Sequence, residues 1–133
     1  GLPQELVLCH GDIHGGNVLI GPRGDFYIVD WDTITLAPRE RDLMFVGAGI
    51  AGVWDQPHEA DLFYAGYGAC SIEPRLLAYY RFERIVQDIA VYGMQLLAGT
   101  DSAERGAILR EVAGQFDPGG VVEIAWRSLR APN

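Results

Sequence analysis

The feature that most constrains this chain is a polar loop followed, at a short distance, by a second acidic motif. The loop reads HGDIHGGN at residues 10–17, and the second motif reads IVDWD at residues 28–32. Two short apolar runs, 18–20 and 26–29, lie between them and are separated by a turn rich in glycine and proline. This arrangement predicts a β-hairpin that brings the second motif back beside the end of the first.

The polar side chains of these motifs suit phosphoryl transfer. Asp12 supplies a carboxylate for an attacking hydroxyl, and its spacing from Asn17 follows the His-x-Asp-x-x-x-x-Asn pattern of a kinase catalytic loop. Asn17 and Asp30 supply two hard oxygen ligands, which Mg²⁺ prefers when phosphate oxygens and water complete its shell. Asp32 either adds to the charge at the metal or begins a turn. The residues therefore predict a catalytic Asp12 beside a magnesium site.

Two other interpretations of the loop remain open. The segment GDIHG also matches the opening signature of dinuclear metallophosphoesterases, in which the Asp and the His bind metal. Those enzymes need further ligands downstream, and only His58 remains among the histidines. Alternatively, Asp12 and Asn17 simply cap turns. That interpretation explains each residue singly but not their joint pattern with Asp30.

The motifs HGDIHGGN and VDWD resemble those of the aminoglycoside phosphotransferase family. Runs at residues 36–45, 53–59 and 83–93 are similar to the branch that acts on spectinomycin, and the similarity covers nearly all of the chain. The resemblance implies a protein-kinase-like fold, Mg²⁺, and ATP as the co-substrate. It also implies transfer to a hydroxyl of an aminoglycoside or aminocyclitol antibiotic, here spectinomycin, which gives resistance. A kinase for choline, homoserine or a thiosugar stays open, because the catalytic residues do not set specificity.

One departure from the family concerns the nucleotide. The family's N-terminal lobe carries a lysine that grips the ATP phosphates, whereas this chain has no lysine and no glycine-rich nucleotide loop. We therefore expect residues 1–133 to be the C-terminal catalytic and substrate-binding lobe alone. Its fold class would be α+β and mainly helical, with a small β-hairpin at the active site. Such a lobe should be inactive by itself and prone to self-association through an uncovered apolar face. A non-catalytic binding or dimerisation module is the alternative from another class.

The resemblance also implies supporting roles for residues around the loop. His10 should be a packed, hydrogen-bonded imidazole, and His14 falls where protein kinases place a basic residue near the γ-phosphate. Asp42 should bond back to the backbone of the loop, although an acidic residue also suits the first turn of a helix.

The segments after Asp30 would build the acceptor pocket. An aromatic side chain there can stack on a sugar-like ring, and carboxylates can meet ammonium groups. The candidate substrate-binding residues are Asp32, Trp54, Asp55, Glu59, Glu83 and Asp88. The more ordinary alternatives are core packing for the tryptophan and solvated or paired charges for the acids.

Helical patterns fill most of the remaining chain. A helix starts near Arg39, another covers about 58–67, and the longest begins at the segment 71–74. Two more are expected from about 102 to 115 and from 117 to 126. In the longest helix, one buried stripe is expected of Ala78, Phe82, Ile85, Ile89, Tyr92 and Leu96. Most of the polar residues between them are expected to be solvated or paired along the helix, namely Arg81, Glu83, Arg84, Gln87 and Asp88.

Composition limits the class of protein. A length of 133 residues with 49% hydrophobic content indicates one globular domain. No apolar run approaches a membrane span and no signal peptide opens the chain, so we expect a cytoplasmic protein with Cys9 and Cys70 reduced. The net charge of −8 disfavours nucleic acid and anionic membrane as partners and suits a cationic small-molecule acceptor.

Overall fold

The computed structural model of the chain describes residues 5–50, 56–99 and 101–130. Within these ranges, four short strands precede five α-helices, and single turns of 3-10 helix occur at Gly15–Asn17 and Trp31–Thr33. In chain order the elements are β1 (Val7–Cys9), β2 (Val18–Ile20), β3 (Phe26–Ile28), β4 (Thr35–Ala37), α1 (Glu40–Leu43), α2 (Pro57–Tyr67), α3 (Pro74–Leu97), α4 (Ser102–Gly114) and α5 (Val121–Ser128).

The strands form two separate antiparallel pairs. β2 pairs with β3, with Val18 opposite Ile28, which confirms the predicted hairpin. β1 pairs with β4, with Val7 opposite Ala37. The strand β4 was not predicted from the sequence. This second pair brings together the two ends of the segment 10–34, and that segment carries both polar motifs.

The long helix α3 is the central element of the lobe, because α1, α4 and α5 all pack against it. Its start follows the predicted pattern, since the Glu73 side chain accepts the backbone N–H of Arg75 at 3.2 Å and Pro74 occupies the first turn. Of the predicted stripe, Ala78 and Ile85 are fully buried. The other four members are only partly buried, so the stripe is less enclosed than predicted.

The buried core lies where α3 meets the segment that leaves α1. Met44, Phe45 and Tyr80 form its centre, and the partly buried side chains packed against them are Ile13, Ile50 and Leu77. The helix predicted to begin near Arg39 is only the four-residue α1, and the turns that follow it place Phe45 in the core. Because Ile13 belongs to the loop at 10–17, its packing against the core fixes that loop in place.

Arg81 on α3 corrects one prediction. The helical pattern predicts a solvated or helix-paired charge at this position, but Arg81 is buried, at 8% exposure. Its guanidinium donates from Nε to the Met44 carbonyl at 3.0 Å, from Nη2 to the Val46 carbonyl at 2.6 Å and from Nη1 to Ser128 Oγ at 2.6 Å. Burial lowers the pKa of Arg81, and these hydrogen bonds offset its desolvation. The irregular backbone after α1 needs donors, and Arg81 supplies them.

The remaining helices begin close to their expected positions, with one exception. α2 starts at Pro57, where the side chains of Gln56 and Glu59 form a reciprocal capping box. α5 begins only at Val121, because the predicted start at residue 117 is a turn closed by the hydrogen bond from Gly120 N to Asp117 O at 2.8 Å. In the described part of the chain, no helix has the length and apolar character needed to cross a membrane.

Candidate functional site

The loop at residues 10–17, hereafter the Asp12 loop, has at its second position a glycine that the packing requires. Gly11 has φ +87°, and a Cβ atom on it would lie 2.5 Å from the carbonyl oxygen of Thr33. The Thr33 hydroxyl also donates to the His10 carbonyl at 2.8 Å. The first turn of the loop is therefore pressed against the 3-10 turn that follows Asp30, and any side chain larger than hydrogen would separate them.

Asp42 ties the start of the Asp12 loop to α1. Its Oδ2 accepts the backbone N–H of His10 and its Oδ1 accepts the backbone N–H of Gly11, both at 2.8 Å. This is the backbone contact that the family resemblance implied for Asp42. A carboxylate that accepts two amide protons fixes the direction in which the chain enters the loop.

His10 is packed beneath the Asp12 loop. It is 3% exposed, its Nε2 lies 2.9 Å from the Val29 carbonyl, and its ring lies 4.7 Å from that of Trp31. The backbone N–H of Asp12 donates to His10 Nδ1 at 3.3 Å, so Nε2 carries the proton that is donated to Val29. His10 thus connects the backbone of Asp12 to the strand that leads to Asp30.

The hairpin places Asn17 and Asp30 at the same end of the site. The backbone N–H of Val29 donates to the Asn17 carbonyl at 3.0 Å, so Asp30 follows directly after the residue that is bonded to Asn17. Asn17 is 8% exposed, and its Nδ2 donates to the Asp12 carbonyl at 2.8 Å. That hydrogen bond leaves Oδ1 as the atom of the Asn17 amide that can coordinate a cation.

Asp30 has an unusual backbone. Its φ of 64° and ψ of 63° are left-handed, and it is the one non-glycine residue with positive φ in the described ranges. Such a conformation costs a non-glycine residue on the order of 1–2 kcal/mol, although Asp tolerates it better than most residues. The exposed Asp30 carboxylate makes no capping bond to the 3-10 turn that it precedes, so it is available to a ligand.

This donor set fits Mg²⁺ that is shared with a phosphate ligand. Asn17 and Asp30 together offer one amide oxygen and one carboxylate, and the described residues contain no group of three or more His, Cys, Asp or Glu side chains arranged to hold a metal by themselves. Mg²⁺ keeps several waters and is commonly bound by one or two protein oxygens together with substrate phosphates. The site therefore suits a metal that arrives with a nucleotide.

The Asp12 carboxylate lies in a chain of alternating charges. Its Oδ1 is 2.5 Å from Nη1 of Arg84 on α3, and Nε of Arg84 is 2.9 Å from Oδ1 of Asp88. The three side chains are 24–27% exposed. From the sequence, Arg84 was expected to be solvated or paired along the helix, and the sole local signal was its i,i+4 spacing from Asp88. Its contact with Asp12, 72 residues away, needed the tertiary fold.

His14 faces Asp12 from within the loop. Its Nδ1 accepts the backbone N–H of Gly16 at 3.0 Å, and its Nε2 lies 3.7 Å from Oδ2 of Asp12. A Cβ atom on Gly16 would lie 2.8 Å from the His14 ring, so this glycine makes room for the imidazole. The two oxygens of Asp12 consequently have different neighbours, Arg84 on one side and His14 on the other.

A cavity of about 800 Å³, lined by Arg84 but not by Asp12, opens between α3, α4 and α5. Its polar lining includes Arg84, Asp88, Tyr92, Glu111 and Gln115. The Gln115 Oε1 atom is buried and has no hydrogen-bond partner among the described residues, so it can accept from a ligand. Burial, with smaller contributions from Asp88 and Glu111, raises the pKa of Tyr92, which keeps its phenol protonated. This volume is within the range of small-molecule sites.

The other candidate acceptor residues do not all reach this cavity. Asp88 lines it, but Glu83 instead accepts from Arg41 at 2.7 Å and from the Tyr79 hydroxyl at 3.3 Å. Glu59 accepts the backbone N–H of Gln56 at 3.1 Å in the cap of α2. Asp32 is exposed in the 3-10 turn after Asp30. The remaining candidates, Trp54 and Asp55, lie outside the described residues.

An apolar surface lies beside the Asp12 loop. A second cavity, of about 940 Å³, separates the strand pairs from α2. Three large side chains of the strands that line it, Leu8, Ile20 and Phe26, remain more than half exposed. Exposed apolar side chains clustered in this way mark a place where another part of a protein docks.

Comparisons with known proteins agree with this geometry. The model of the Phosphotransferase enzyme family matches residues 1–82, a segment that includes the Asp12 loop, the hairpin and the first turns of α3. Aminoglycoside 3'-phosphotransferase from Streptomyces ribosidificus is 30% identical over 83 residues, which are 59% of this chain and 32% of that protein. The same enzyme from Streptomyces fradiae is 29% identical over 83 residues, 59% of this chain and 31% of that protein.

Two solved structures extend the similarity beyond that segment. A crystal structure of spectinomycin phosphotransferase in complex with ADP and spectinomycin matches with a TM-score of 0.78 and 49% identity, over 96% of this chain and 39% of that one. An AMP-bound complex of spectinomycin phosphotransferase matches with a TM-score of 0.74 and 52% identity, over 91% and 37%. The fold is thus a mainly helical lobe of the kinase-like type, and the chain spans about a third of the curated relatives.

Proposed function

This chain belongs to the phosphotransferase enzyme family, and from that premise we propose that it forms the catalytic lobe of an ATP-dependent kinase. The acceptor is a hydroxyl of an aminocyclitol or aminoglycoside antibiotic, with spectinomycin as the preferred member, and its phosphorylation gives resistance. The observation that carries the proposal is the joint placement of Asp12, Asn17 and Asp30 around one anchored loop. We place the reaction in the cytoplasm, where ATP is available.

Each residue of the site has a defined part in this reaction. Asp12 accepts a hydrogen bond from the acceptor hydroxyl at Oδ2 and orients the hydroxyl oxygen towards the γ-phosphorus. As that oxygen bonds to the γ-phosphorus, the bond from phosphorus to the leaving ADP breaks and the hydroxyl proton passes to Asp12. Asn17 and Asp30 hold Mg²⁺, which when bound neutralises charge on the phosphate oxygens. His14, beside Oδ2 of Asp12, donates to the transferred phosphoryl group. Asp42 and His10 keep the loop rigid, so that these groups need not reorganise during the reaction.

A nucleotide-binding lobe completes the enzyme in this proposal. The chain has no lysine to grip the ATP phosphates, and it spans only 39% of the solved spectinomycin phosphotransferase. The exposed apolar side chains on the strand pairs are the surface that such a lobe would cover. The lobe described here would therefore bind Mg-ATP weakly by itself and would self-associate through the same surface.

The cavity lined by Arg84 is the proposed acceptor pocket. Asp88 and Glu111 line it with carboxylates that can meet the amines of an aminocyclitol, beside the cationic Arg84 and Arg110, and Gln115 Oε1 can accept a hydrogen bond from the ligand. The net charge of −8 favours the approach of a cationic substrate. The solved relative that is 49% identical contains spectinomycin with ADP, which supports the same acceptor class here.

The proposal is tested on the chain together with its nucleotide lobe. The protein would be incubated with Mg-ATP and, separately, with spectinomycin, other aminoglycosides, choline, homoserine and a thiosugar, and the products would be analysed by mass spectrometry and NMR. A phosphate ester on spectinomycin is the expected product. Transfer only to choline, homoserine or the thiosugar would keep the mechanism and overturn the substrate class. No phosphorylated product from any acceptor would overturn the proposed function.

A further inference from the structure

The contact between α3 and the Asp12 loop assigns a role to a residue outside the loop. We propose that Arg84 is a positioning residue for phosphoryl transfer, which holds one oxygen of Asp12 and so directs the other at the acceptor hydroxyl. Asp88 acts through Arg84 by holding the guanidinium in place. This inference rests on the proposed function and concerns the rate of the chemical step.

The geometry separates the two oxygens of Asp12. Oδ1 accepts from Nη1 of Arg84 at 2.5 Å, whereas the neighbour of Oδ2 is Nε2 of His14 at 3.7 Å, beyond hydrogen-bond distance. A carboxylate otherwise turns about its terminal torsion through a broad range of angles. The charge-assisted bond to Arg84 removes that freedom. The oxygen left for a hydroxyl is then always Oδ2.

Two further contacts hold Arg84 itself. Its Nε donates to Oδ1 of Asp88 at 2.9 Å, one turn later on α3. Its guanidinium carbon lies 5.5 Å from the ring centre of Phe45, which is 1% exposed in the core. A rigid core residue thus supports the guanidinium, and Asp88 sets its rotation. These contacts therefore hold Asp12 in a fixed position relative to α3, the central helix of the lobe.

An arginine is needed for this arrangement. Nε and Nη1 of one planar guanidinium face two different carboxylates, which the fork-shaped group can satisfy at once. Lysine offers a single ammonium on a flexible stem and lacks the planar group that spans both acids. Lysine would therefore supply the charge beside Asp12 without the same orientation.

The test compares steady-state kinetics of four variants in the chain with its nucleotide lobe: Arg84→Gln, Arg84→Lys, Asp88→Asn and the double variant Arg84→Gln/Asp88→Asn. Arg127→Gln is the control, because Arg127 also pairs with an acid at i,i+4 spacing, Glu123, but on the exposed face of α5. Thermal unfolding of every variant measures effects on the fold. The wild-type rate with spectinomycin is measured alongside and tests the proposed function by itself.

Arg84→Gln should lower kcat by about 100-fold, the scale expected when a reacting group is misplaced by 1 Å, while KM for ATP stays near the wild-type value. Arg84→Lys should recover part of that loss, and Arg127→Gln should keep the wild-type kcat. Asp88→Asn should lower kcat less than Arg84→Gln, and the double variant should match Arg84→Gln, because Asp88 acts through Arg84.

Three results would overturn the positioning role. They are a wild-type kcat for Arg84→Gln, a loss confined to KM, and a fall in activity that merely follows the fraction of unfolded protein. Full additivity of the two single losses in kcat would remove Asp88 from the arrangement. A wild-type protein inactive towards every acceptor would overturn the proposed function, and the inference with it.

Discussion

Oδ2 of Asp42 accepts the backbone N–H of His10 at 2.8 Å, across 32 residues of sequence. The other carboxylate oxygen accepts the next amide along, that of Gly11. The two bonds reach the chain just before Asp12, where a small change in backbone direction would be amplified at the carboxylate. Asp42 thus connects the first helix of the lobe to the residue proposed to orient the acceptor.

The change Asp42→Asn tests this connection. Asparagine keeps the shape but offers only one accepting oxygen, so one amide of the pair loses its partner, at a cost of about 1–3 kcal/mol in the free energy of unfolding. We also expect kcat to fall while the folded fraction at assay temperature stays high. Chemical denaturation and kinetics on the same samples measure both effects. Asp61→Asn, on the exposed face of α2, is the control, and equal behaviour of the two variants would contradict the role of Asp42.

Arg81 provides a prediction about stability alone. Replacing it by methionine fills most of the volume but leaves the carbonyls of Met44 and Val46 without their donor. Since each buried unsatisfied group costs roughly 1–3 kcal/mol, we expect Arg81→Met to lower the free energy of unfolding by about 3 kcal/mol or more. Urea denaturation measures it. Arg75→Met, an exposed substitution in the first turn of α3, should change stability far less, and a similar loss in both variants would show that the buried hydrogen bonds contribute little.

Two substitutions of Asp30 distinguish its effect on metal binding from its effect on backbone conformation. Asn tolerates the left-handed conformation as Asp does, so Asp30→Asn should leave stability nearly unchanged while it weakens Mg-ATP binding. Asp30→Ala should weaken that binding as well and should also cost on the order of 1–2 kcal/mol in stability, because alanine does not favour positive φ. Calorimetric titration of the chain with its nucleotide lobe, with and without Mg²⁺, measures nucleotide affinity, and thermal unfolding measures stability. The control is Asp25→Asn, at the far end of the hairpin. Unchanged nucleotide affinity in both Asp30 variants would rule out the proposed metal site.

The parts of the structure that were predictable are those set by local patterns. The hairpin followed from two apolar runs around a Gly/Pro turn, and the start of α3 followed from Glu73 and Pro74. The contact of Asp42 with the loop was expected only through the family resemblance, because nothing near Asp42 in sequence indicates it. The same resemblance supplied the kinase-like fold.

The features that were missed depend on contacts between distant segments. Arg81 and Arg84 are three residues apart on one helix, yet the first is buried against the turn after α1 and the second pairs with Asp12. Their helical pattern alone assigns both to a polar face. The strand β4 was missed because its partner β1 lies 28 residues earlier. The sequence around Gly11 and Gly16 does not indicate which neighbouring group each glycine accommodates.

The role of Asp12 in phosphoryl transfer is best tested by acceptor-stimulated ADP release from the chain with its nucleotide lobe. The release is measured for wild type and for Asp12→Asn in the presence of Mg-ATP and spectinomycin. Nucleotide affinity would be determined on the same two proteins. We expect spectinomycin to drive ADP release by wild type, and Asp12→Asn to lose that release while it binds nucleotide almost as tightly. Near-normal release by Asp12→Asn, or wild-type release that no acceptor stimulates, would contradict phosphoryl transfer to an acceptor oriented by Asp12.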